Sequence, residues 1–443
     1  MKNKNIILAL IFLISINNVN AQEKISLSDA IKIALNQNTS IVQKTNNLQV
    51  SNAAVKSAYG NLLPSLSLGG GWSWQHINNK TGTAQIDYLG ETQVIGASET
   101  ESRSYNLSLG GNINLFDGLS SISTISQKKN DFAAAKLELE KLKQDAILET
   151  VNLFVTIINN EKLLQFRKTN YDYNAGMLDK IKKMYELQTV AVVDLYSQEY
   201  ETANAQLNYL QAKTDFEKAK LNLLTYLSKD VAAEYTFIID STNHREFTED
   251  LTNHAPLYEI ALARRSDLQS QRLQVENSEH QLTIANSGFY PTLSGNYGLS
   301  TNAVSPSNLF NRKVYSLGLS LNLPIFSNWN TEYSVQSAKI QITNENETLG
   351  ALERQIKSEV KSAVLDLQLS KLQIDVTKTA LKAALETWNI KKEKYTVGAT
   401  TYIDQQQSYK DYIQSVNNNI SAESNYLYKR YELLNALGLL TFE

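Results

Sequence analysis

From Leu119 to Leu187, and again from Asn328 to Val397, the chain runs about 70 residues with no proline and one glycine each, Gly176 and Gly350. Unbroken, such a stretch makes roughly 100 Å of helix. That is too long for the core helix of a globular domain and fits a coiled coil. Ile147, Val151, Phe154 and Ile158 step by four, three and four, with a second seam of Leu142, Ala146, Leu153 and Ile157 beside them. In the later stretch Leu352, Ile356, Ala363, Leu367, Ile374, Leu381, Leu385 and Trp388 keep heptad spacing. Asn, Gln, Lys and Glu fill the other positions. A helix in a solid bundle shows a broader apolar face. Narrow seams suit a helix in the wall of a hollow tube, although an ordinary antiparallel bundle also accounts for the helices taken alone.

Each long stretch ends in a turn and a returning helix, and the two turns correspond. Tyr185-Glu-Leu-Gln-Thr-Val-Ala-Val-Val-Asp194-Leu-Tyr-Ser197 lies 210 residues before Tyr395-Thr-Val-Gly-Ala-Thr-Thr-Tyr-Ile-Asp404-Gln-Gln-Gln407. The same offset carries Tyr105, Leu107, Leu109, Asn112 and Phe116 onto Tyr315, Leu317, Leu319, Asn322 and Phe326, and Leu223, Leu224 and Leu227 onto Leu433, Leu434 and Leu437. Before these segments the offset is 227, as from Pro64 to Pro291, so a loop in the first half is 17 residues longer. The chain is an internal duplication. The first repeat is placed at 22–227 (long helices 119–187 and 193–227), a linker at 228–255 and the second repeat at 256–443 (long helices 328–397 and 401–438). A helix from Leu27 to Ala58, capped by Ser28-Asp29, answers one from Pro256 to Ser287, and Glu234–Asp240 has the composition of a short strand.

Between these helices the period changes from helical to two. Leu66, Leu68, Gly70, Trp72 and Trp74 alternate with Ser and Gly, and Tyr105 to Leu115 alternate with Asn, Ser and Gly. The second half repeats this from Leu293 to Leu299 and from Tyr315 to Ile325. Four strands are expected, at about 64–76, 104–116, 291–301 and 314–326, with 78–104 as an exposed polar loop. Their length and alternation are those of transmembrane barrel strands. Trp72, Trp74, Tyr105, Tyr297 and Tyr315 are the candidates for an interfacial aromatic girdle near strand ends. Four strands do not close a barrel, and open edges do not face lipid. The barrel is therefore expected to be shared between copies.

Met1-Lys2-Asn3-Lys4, the apolar run Ile6–Ile16 and the small residue Ala21 make a secretory signal peptide at 1–21. No stretch of 18 consecutive apolar residues is present. The chain has no cysteine, which excludes disulfides and thiolate metal sites, and its net charge of -3 gives no electrostatic case for nucleic acid.

Taken together, the leader, the duplicated plan, the Pro64 and Pro291 entries to strands and the turn Tyr-x-x-Gly-x-x-x-x-x-Asp (Tyr395, Gly398, Asp404) resemble the TolC-type outer membrane efflux proteins over essentially the full mature length. The resemblance implies a mainly α fold with a membrane β-barrel: a homotrimer with a twelve-stranded β-barrel on a twelve-helix α-barrel. It implies an exit duct in the outer membrane of a Gram-negative bacterium, with the helical tunnel in the periplasm. Its partners would be outer membrane lipid, a periplasmic adaptor and an inner-membrane transporter of the resistance-nodulation-division or ABC type. It implies passive export, with no enzyme activity and no cofactor; drug, metal-ion and protein cargo stay open. A secreted coiled-coil scaffold or adhesin without a pore is the alternative. The resemblance also places a periplasmic gate at the turns. Asp404 answers the family's cation-binding aspartate ring, Asp194 the acid of the partner turn and Tyr395 the tyrosine that holds the closed state. The gate arginine falls on Thr400 and the second ring aspartate on Gln407, so the family's salt-bridge lock is not available here.

Plainer roles compete at each position. A carboxylate in the first turn of a helix meets the helix dipole favourably, by about 0.3–1 kcal/mol, which alone accounts for Asp194 and Asp404. Gly398 suits a left-handed turn, where its counterpart is Gln188. Gly69-Gly70-Gly71 lacks the Lys-Ser/Thr of a phosphate loop and fits close strand packing. His76, His244, His254 and His280 show no metal spacing and are expected at the surface. No Ser-His-Asp or Cys-His grouping with a catalytic local sequence is present.

Overall fold

The computed structural model describes residues 23–79, 83–86, 92–95, 98–238 and 254–441. The expected leader, Asp87, Glu91, His244 and most of the 228–255 linker lie outside the described residues. In order the elements are β1 (Glu23–Ser26), α1 (Leu27–Gln37), α2 (Thr39–Gly60), β2 (Ser67–Asn79), β3 (Thr83–Ile86), β4 (Thr92–Ile95), β5 (Ser98–Phe116), α3 (Ser120–Glu186) and α4 (Val192–Tyr226). There follow β6 (Tyr235–Ile238), α5 (His254–Arg264), α6 (Ser266–Asn286), β7 (Thr292–Ala303), β8 (Lys313–Asn322), α7 (Asn330–Thr396) and α8 (Tyr402–Ala436). α3 and α7 are each 67 residues long and α4 and α8 each 35, so the duplication is visible in the element lengths. The residues divide into two compact units, Met1–Asn47 with Lys136–Gln269 and Gly350–Glu443, and Leu48–Ala135 with Ser270–Leu349.

In the first unit the seams of α3 and α4 close over α1. Ala30 and Ala34 pack with Phe154, Ile157, Leu223, Leu224 and Leu227. β1 pairs in parallel with β6, bringing Ile25 opposite Phe237 and into the same core. β6 was expected from the sequence; β1, its partner, was not. The cap of α1 is Ser26, not Ser28: its hydroxyl accepts from the Asp29 amide at 3.1 Å, and the Asp29 carboxylate accepts from the Ser26 amide in return, a complete capping box.

The two entry helices expected as continuous are each broken, at Asn38 and at Arg265, 227 residues apart. Both side chains are buried and both reach the end of a returning helix. Asn38 Nδ2 donates to the Tyr226 carbonyl at 3.1 Å, and Arg265 Nη1 to the Ala436 carbonyl at 3.4 Å. Tyr226 and Ala436 are themselves counterparts at the 210 offset. The break turns a polar side chain onto carbonyls that a helix end leaves without partners. Arg265 also forks onto Asp267 (2.6 and 3.0 Å) and pairs with Glu359 at 2.7 Å.

The second unit is built on an antiparallel sheet in the order β2-β5-β7-β8. Directly paired residues share a face, and the register sorts the side chains sharply. One face carries the rows Leu68–Leu109–Leu299–Tyr315, Ile113–Gly295–Leu319 and Leu293–Leu321. The other carries Ser67–Gly110–Gly298–Ser316, Asn112–Asn296–Gly318 and Asn114–Ser294–Ser320. The apolar face is left uncovered within one chain, with Tyr315, Leu317, Leu319 and Leu321 all exposed. Glycine allows close approach where the chain enters β2: a Cβ on Gly111 would stand 1.8 Å from the Ser65 carbonyl oxygen. Gly71 is also tight, against Asn106 at 2.6 Å.

Two strand expectations change. The 78–104 loop holds part of the ladder: β5 begins at Ser98 and pairs with β2 out to Asn79, while β3 and β4 pair with each other. The last strand stops at Asn322 rather than 326, because Pro324 has no amide to continue a ladder. Among the described residues no helix is long and apolar enough to cross a membrane.

Candidate gate at the helix turns

Both turns close on the same hydrogen bonds. At the first, the Gln188 amide donates to the Tyr185 carbonyl at 2.8 Å and the Thr189 amide to Met184 at 2.9 Å. At the second, the Gly398 amide donates to Tyr395 at 3.1 Å and the Ala399 amide to Lys394 at 2.8 Å. This paired pattern is the Schellman motif, and it needs a left-handed residue. Gly398 supplies it at φ 74°; Gln188, with a side chain, adopts φ 58°.

The helix starts differ. α4 begins at Ala191, which has no side-chain cap. α8 begins at Thr401, whose hydroxyl oxygen accepts from the Asp404 amide at 3.1 Å and whose O–H donates to Asp404 Oδ2 at 2.8 Å. Thr400 adds a longer bond to the same oxygen, 3.3 Å. The Thr401 hydroxyl holds the Asp404 carboxyl below the usual carboxylate range, helped by Lys391 and Thr400 and opposed by slight desolvation. Asp404 is exposed and tied to its own turn.

The candidates therefore separate. Asp194 and Tyr395 line one cavity of about 440 Å³ between the turns, with Lys180, Met184, Thr401 and Tyr402. Burial, with the Asp194 charge adding to it, pushes the Tyr395 phenol up. Asp404, Gly398, Thr400 and Gln407 are not among the residues lining it. Gln407 donates along its own helix to Asp411 at 2.9 Å.

One turn behind this cavity lies a buried polar network that the sequence did not point to. Gln198 on α4 is fully buried. Its Nε2 donates to the Asn174 carbonyl at 3.1 Å, and its Oε1 accepts from Gln406 Nε2 at 3.0 Å and from the Tyr402 hydroxyl. Asn174 donates to Asn170, whose Oδ1 also accepts from Tyr409 at 2.7 Å. Gln405 reaches the Tyr173 hydroxyl at 3.1 Å. Beside it Trp388 stacks on Tyr412 at 5.1 Å, and Tyr173 meets Tyr409 at 4.5 Å. Burial pushes the Tyr402 and Tyr409 phenols far up, so these hydroxyls stay protonated. Thr400 and Gln407 bond at the surface, to Asp404 and Asp411, while the buried bonds belong to Gln198, Tyr402, Gln405 and Gln406.

The aromatic candidates of the sheet all lie on its apolar face, but not at one level. Trp72 pairs with Tyr105, and Trp74 lies two residues further out. Tyr315 pairs with Leu299; Tyr297 pairs with Gly111 and Leu317. Tyr105 and Tyr297 are mid-strand, not near strand ends, and the Tyr297 hydroxyl donates to the Ser65 carbonyl. Tyr297 thus covers the glycine that lets Ser65 approach. His76 pairs with Glu99 at 3.2 Å, whereas His254 and His280 are half-buried rather than at the surface.

A duplicated pair of long helical hairpins joined to a four-stranded sheet with one uncovered apolar face defines the class to which the comparisons point. The outer membrane efflux protein family matches at residues 30–229 and 257–439, and the chain belongs to that family, which is not a family of enzymes. It is 22% identical to outer membrane protein TolC of Escherichia coli over 313 residues, 67% of this chain and 62% of TolC. It is 18% identical to the outer membrane efflux protein BepC of Brucella suis over 337 residues, 74% of this chain and 70% of BepC. Among solved structures, the Campylobacter jejuni CmeC outer membrane channel superposes with a TM-score of 0.81 at 17% identity, covering 93% of this chain and 85% of CmeC.

Proposed function

We propose that this protein is a passive exit duct across the outer membrane, working as a homotrimer with a periplasmic adaptor and an inner-membrane transporter in a tripartite efflux pump or type I secretion system. The observation that carries the reading is a face left uncovered in one half whose counterpart is covered in the other. Within one chain α8 covers α3: Lys162 pairs with Glu423 at 3.1 Å, Phe166 meets Tyr412 at 6.5 Å and Asn170 meets Tyr409 at 2.7 Å. At the 210 offset Lys162, Phe166 and Asn170 become Leu372, Val376 and Ala380 on α7, and these are exposed, Leu372 by 63% and Val376 by 67%. The matching partner residues on α8, Glu423, Tyr412 and Tyr409, become Lys213, Thr202 and Glu199 on α4, of which Lys213 is exposed. Joining α4 of one copy to α7 of the next repeats the internal contact between chains. Such a head-to-tail contact gives a ring where the rotation between copies closes, as it would in a trimer.

The sheet supports the same reading. Its apolar face suits lipid and its Ser, Gly and Asn face suits water, and β2 and β8 offer the free edges that a shared twelve-stranded barrel would join. The hairpin turns would then meet as the inner, periplasmic gate, with Asp194 and Tyr395 on one cavity and Asp404 as the exposed carboxylate for a cation ring.

Purified protein in a planar bilayer tests the reading. A heat-sensitive oligomer with a defined conductance is expected, and Asp404→Asn should abolish block by divalent cations added from the turn side. A soluble monomer without conductance would refute the duct; unchanged block would refute the cation ring alone.

A further inference from the structure

We propose that the cavity between the two turns is a binding site for a small organic ammonium ion. All of its lining residues come from one chain, so the site goes beyond the duct reading and needs no second copy. Asp194 stands half-buried on its wall. The Asp194 carboxylate has no hydrogen-bond or ion-pair partner among the described residues, whereas the Asp404 carboxylate is bonded by Thr401 and Thr400. Tyr395 and Tyr402 line the same cavity, with ring centroids 5.9 Å apart and planes at 57°, an open aromatic corner. Burial is the main cause that raises both phenols, and the Asp194 charge adds to it in each, so the carboxylate and the two rings share one neighbourhood. Met184 and Ile403 add apolar surface.

That set of groups selects among cations. A calcium ion takes about six to eight oxygen ligands, and this cavity offers one carboxylate. An alkylated ammonium needs no such shell. It is attracted to the faces of aromatic rings by their quadrupole, pairs with a single carboxylate, and brings apolar arms for Met184 and Ile403 to cover. The volume, about 440 Å³, is that of a small-ligand pocket. Lys180 also lines the cavity; its charge opposes a bound cation, but the side chain is exposed and the solvent screens it.

The duplication supplies an internal control. At the 210 offset Asp194, Tyr395 and Tyr402 become Asp404, Tyr185 and Val192. The second ring is gone there, and the carboxylate is already engaged by Thr401. One site per chain is expected, where a free carboxylate meets both rings.

Titration of the purified protein with choline in a maltoside detergent, followed by saturation-transfer NMR, tests the site. The neutral tert-butyl analogue of choline has the same shape without the charge. Choline should bind, and the analogue should bind more weakly by about tenfold. Asp194→Asn and Tyr395→Leu should each weaken choline binding by about tenfold. Lys180→Met should strengthen it by about twofold, a gain that misfolding does not produce. Absence of choline binding, equal binding of the two compounds, or binding that survives Asp194→Asn and is lost with Asp404→Asn would overturn the proposal. Binding in detergent is read whether or not the protein conducts, so failure of this site and failure of the duct are separate results.

Discussion

At the first helix turn a glutamine is held at φ 58° and the returning helix starts on an alanine; at the second a glycine sits at φ 74° and the helix starts on a capped threonine. The backbone path is the same, the hydrogen bonds closing it are the same, and the side chains that usually enforce such a path are present in only one. Duplication copied the geometry, and each copy then drifted to a different means of holding it. Where the two halves agree, the shared residues specify the fold. Where they disagree, as at Tyr402 against Val192, the side chain is buried in one half and exposed in the other.

The strongest way to break that comparison is to charge the α7 face. Leu372→Asp with Val376→Asp should abolish the oligomer on non-heated gels yet leave the helix content by circular dichroism unchanged, because both positions are exposed in a single chain. An intact oligomer would sink the equivalence of the internal and external seams.

Next come the two helix breaks. Arg265→Ala should destabilise by on the order of 3 kcal/mol, since it strands Asp267 and Glu359. Asn38→Ala should cost only about 1 kcal/mol, the loss of one hydrogen bond. Comparing the melting midpoints of the two variants checks the order. Burial pushes the Asp267 carboxyl up, but the Arg265 bonds and charge outweigh it and leave it below its usual value. A depressed carboxyl contributes stability that is present above its unfolded value of about 4 and lost as pH falls through its folded one. Acid should therefore narrow the gap between wild type and Arg265→Ala, and leave that between wild type and Asn38→Ala unchanged.

The turns themselves sharpen the contrast. Gly398→Ala should cost about 1 kcal/mol through backbone strain, as nothing lies within 4 Å of the added Cβ, while Gln188→Gly should be neutral or slightly stabilising. Smallest is the transplanted cap. Ala191→Thr recreates Thr-x-x-Asp ahead of Asp194 and should gain about 0.5 kcal/mol by chemical denaturation, whereas Thr401→Ala loses about 1 kcal/mol.

Much of the architecture was legible because it rests on long-period patterns. Proline-free heptads and period-two alternation each persist for many residues, so single exceptions do not hide them. The breaks at Asn38 and Arg265 were not legible, since no glycine or proline marks them and their cause is a carbonyl some 170 to 190 positions away in the chain. β1 was missed for the same reason: four residues beside a helix become a strand only when β6 is there to pair with. Of the candidate residues at the turns, Asp194 and Tyr395 line one cavity. Gln198, Asn174 and Gln406 were missed because, one chain position at a time, they have the composition of a wet helix face. Only the loss of correspondence between the halves sets them apart.

The β2–β5 hairpin has a consequence of another kind. The ladder between β5 and β7 stops at Tyr105–Ala303, but β2 and β5 stay paired to Asn79–Ser98, and the 17-residue length difference between the halves falls at that end. The duplicated register resumes at Tyr105 as though nothing had been inserted. The two halves keep one strand register with loops of different length there, which makes the segment between Asn79 and Ser98 the natural place to graft an epitope or affinity tag.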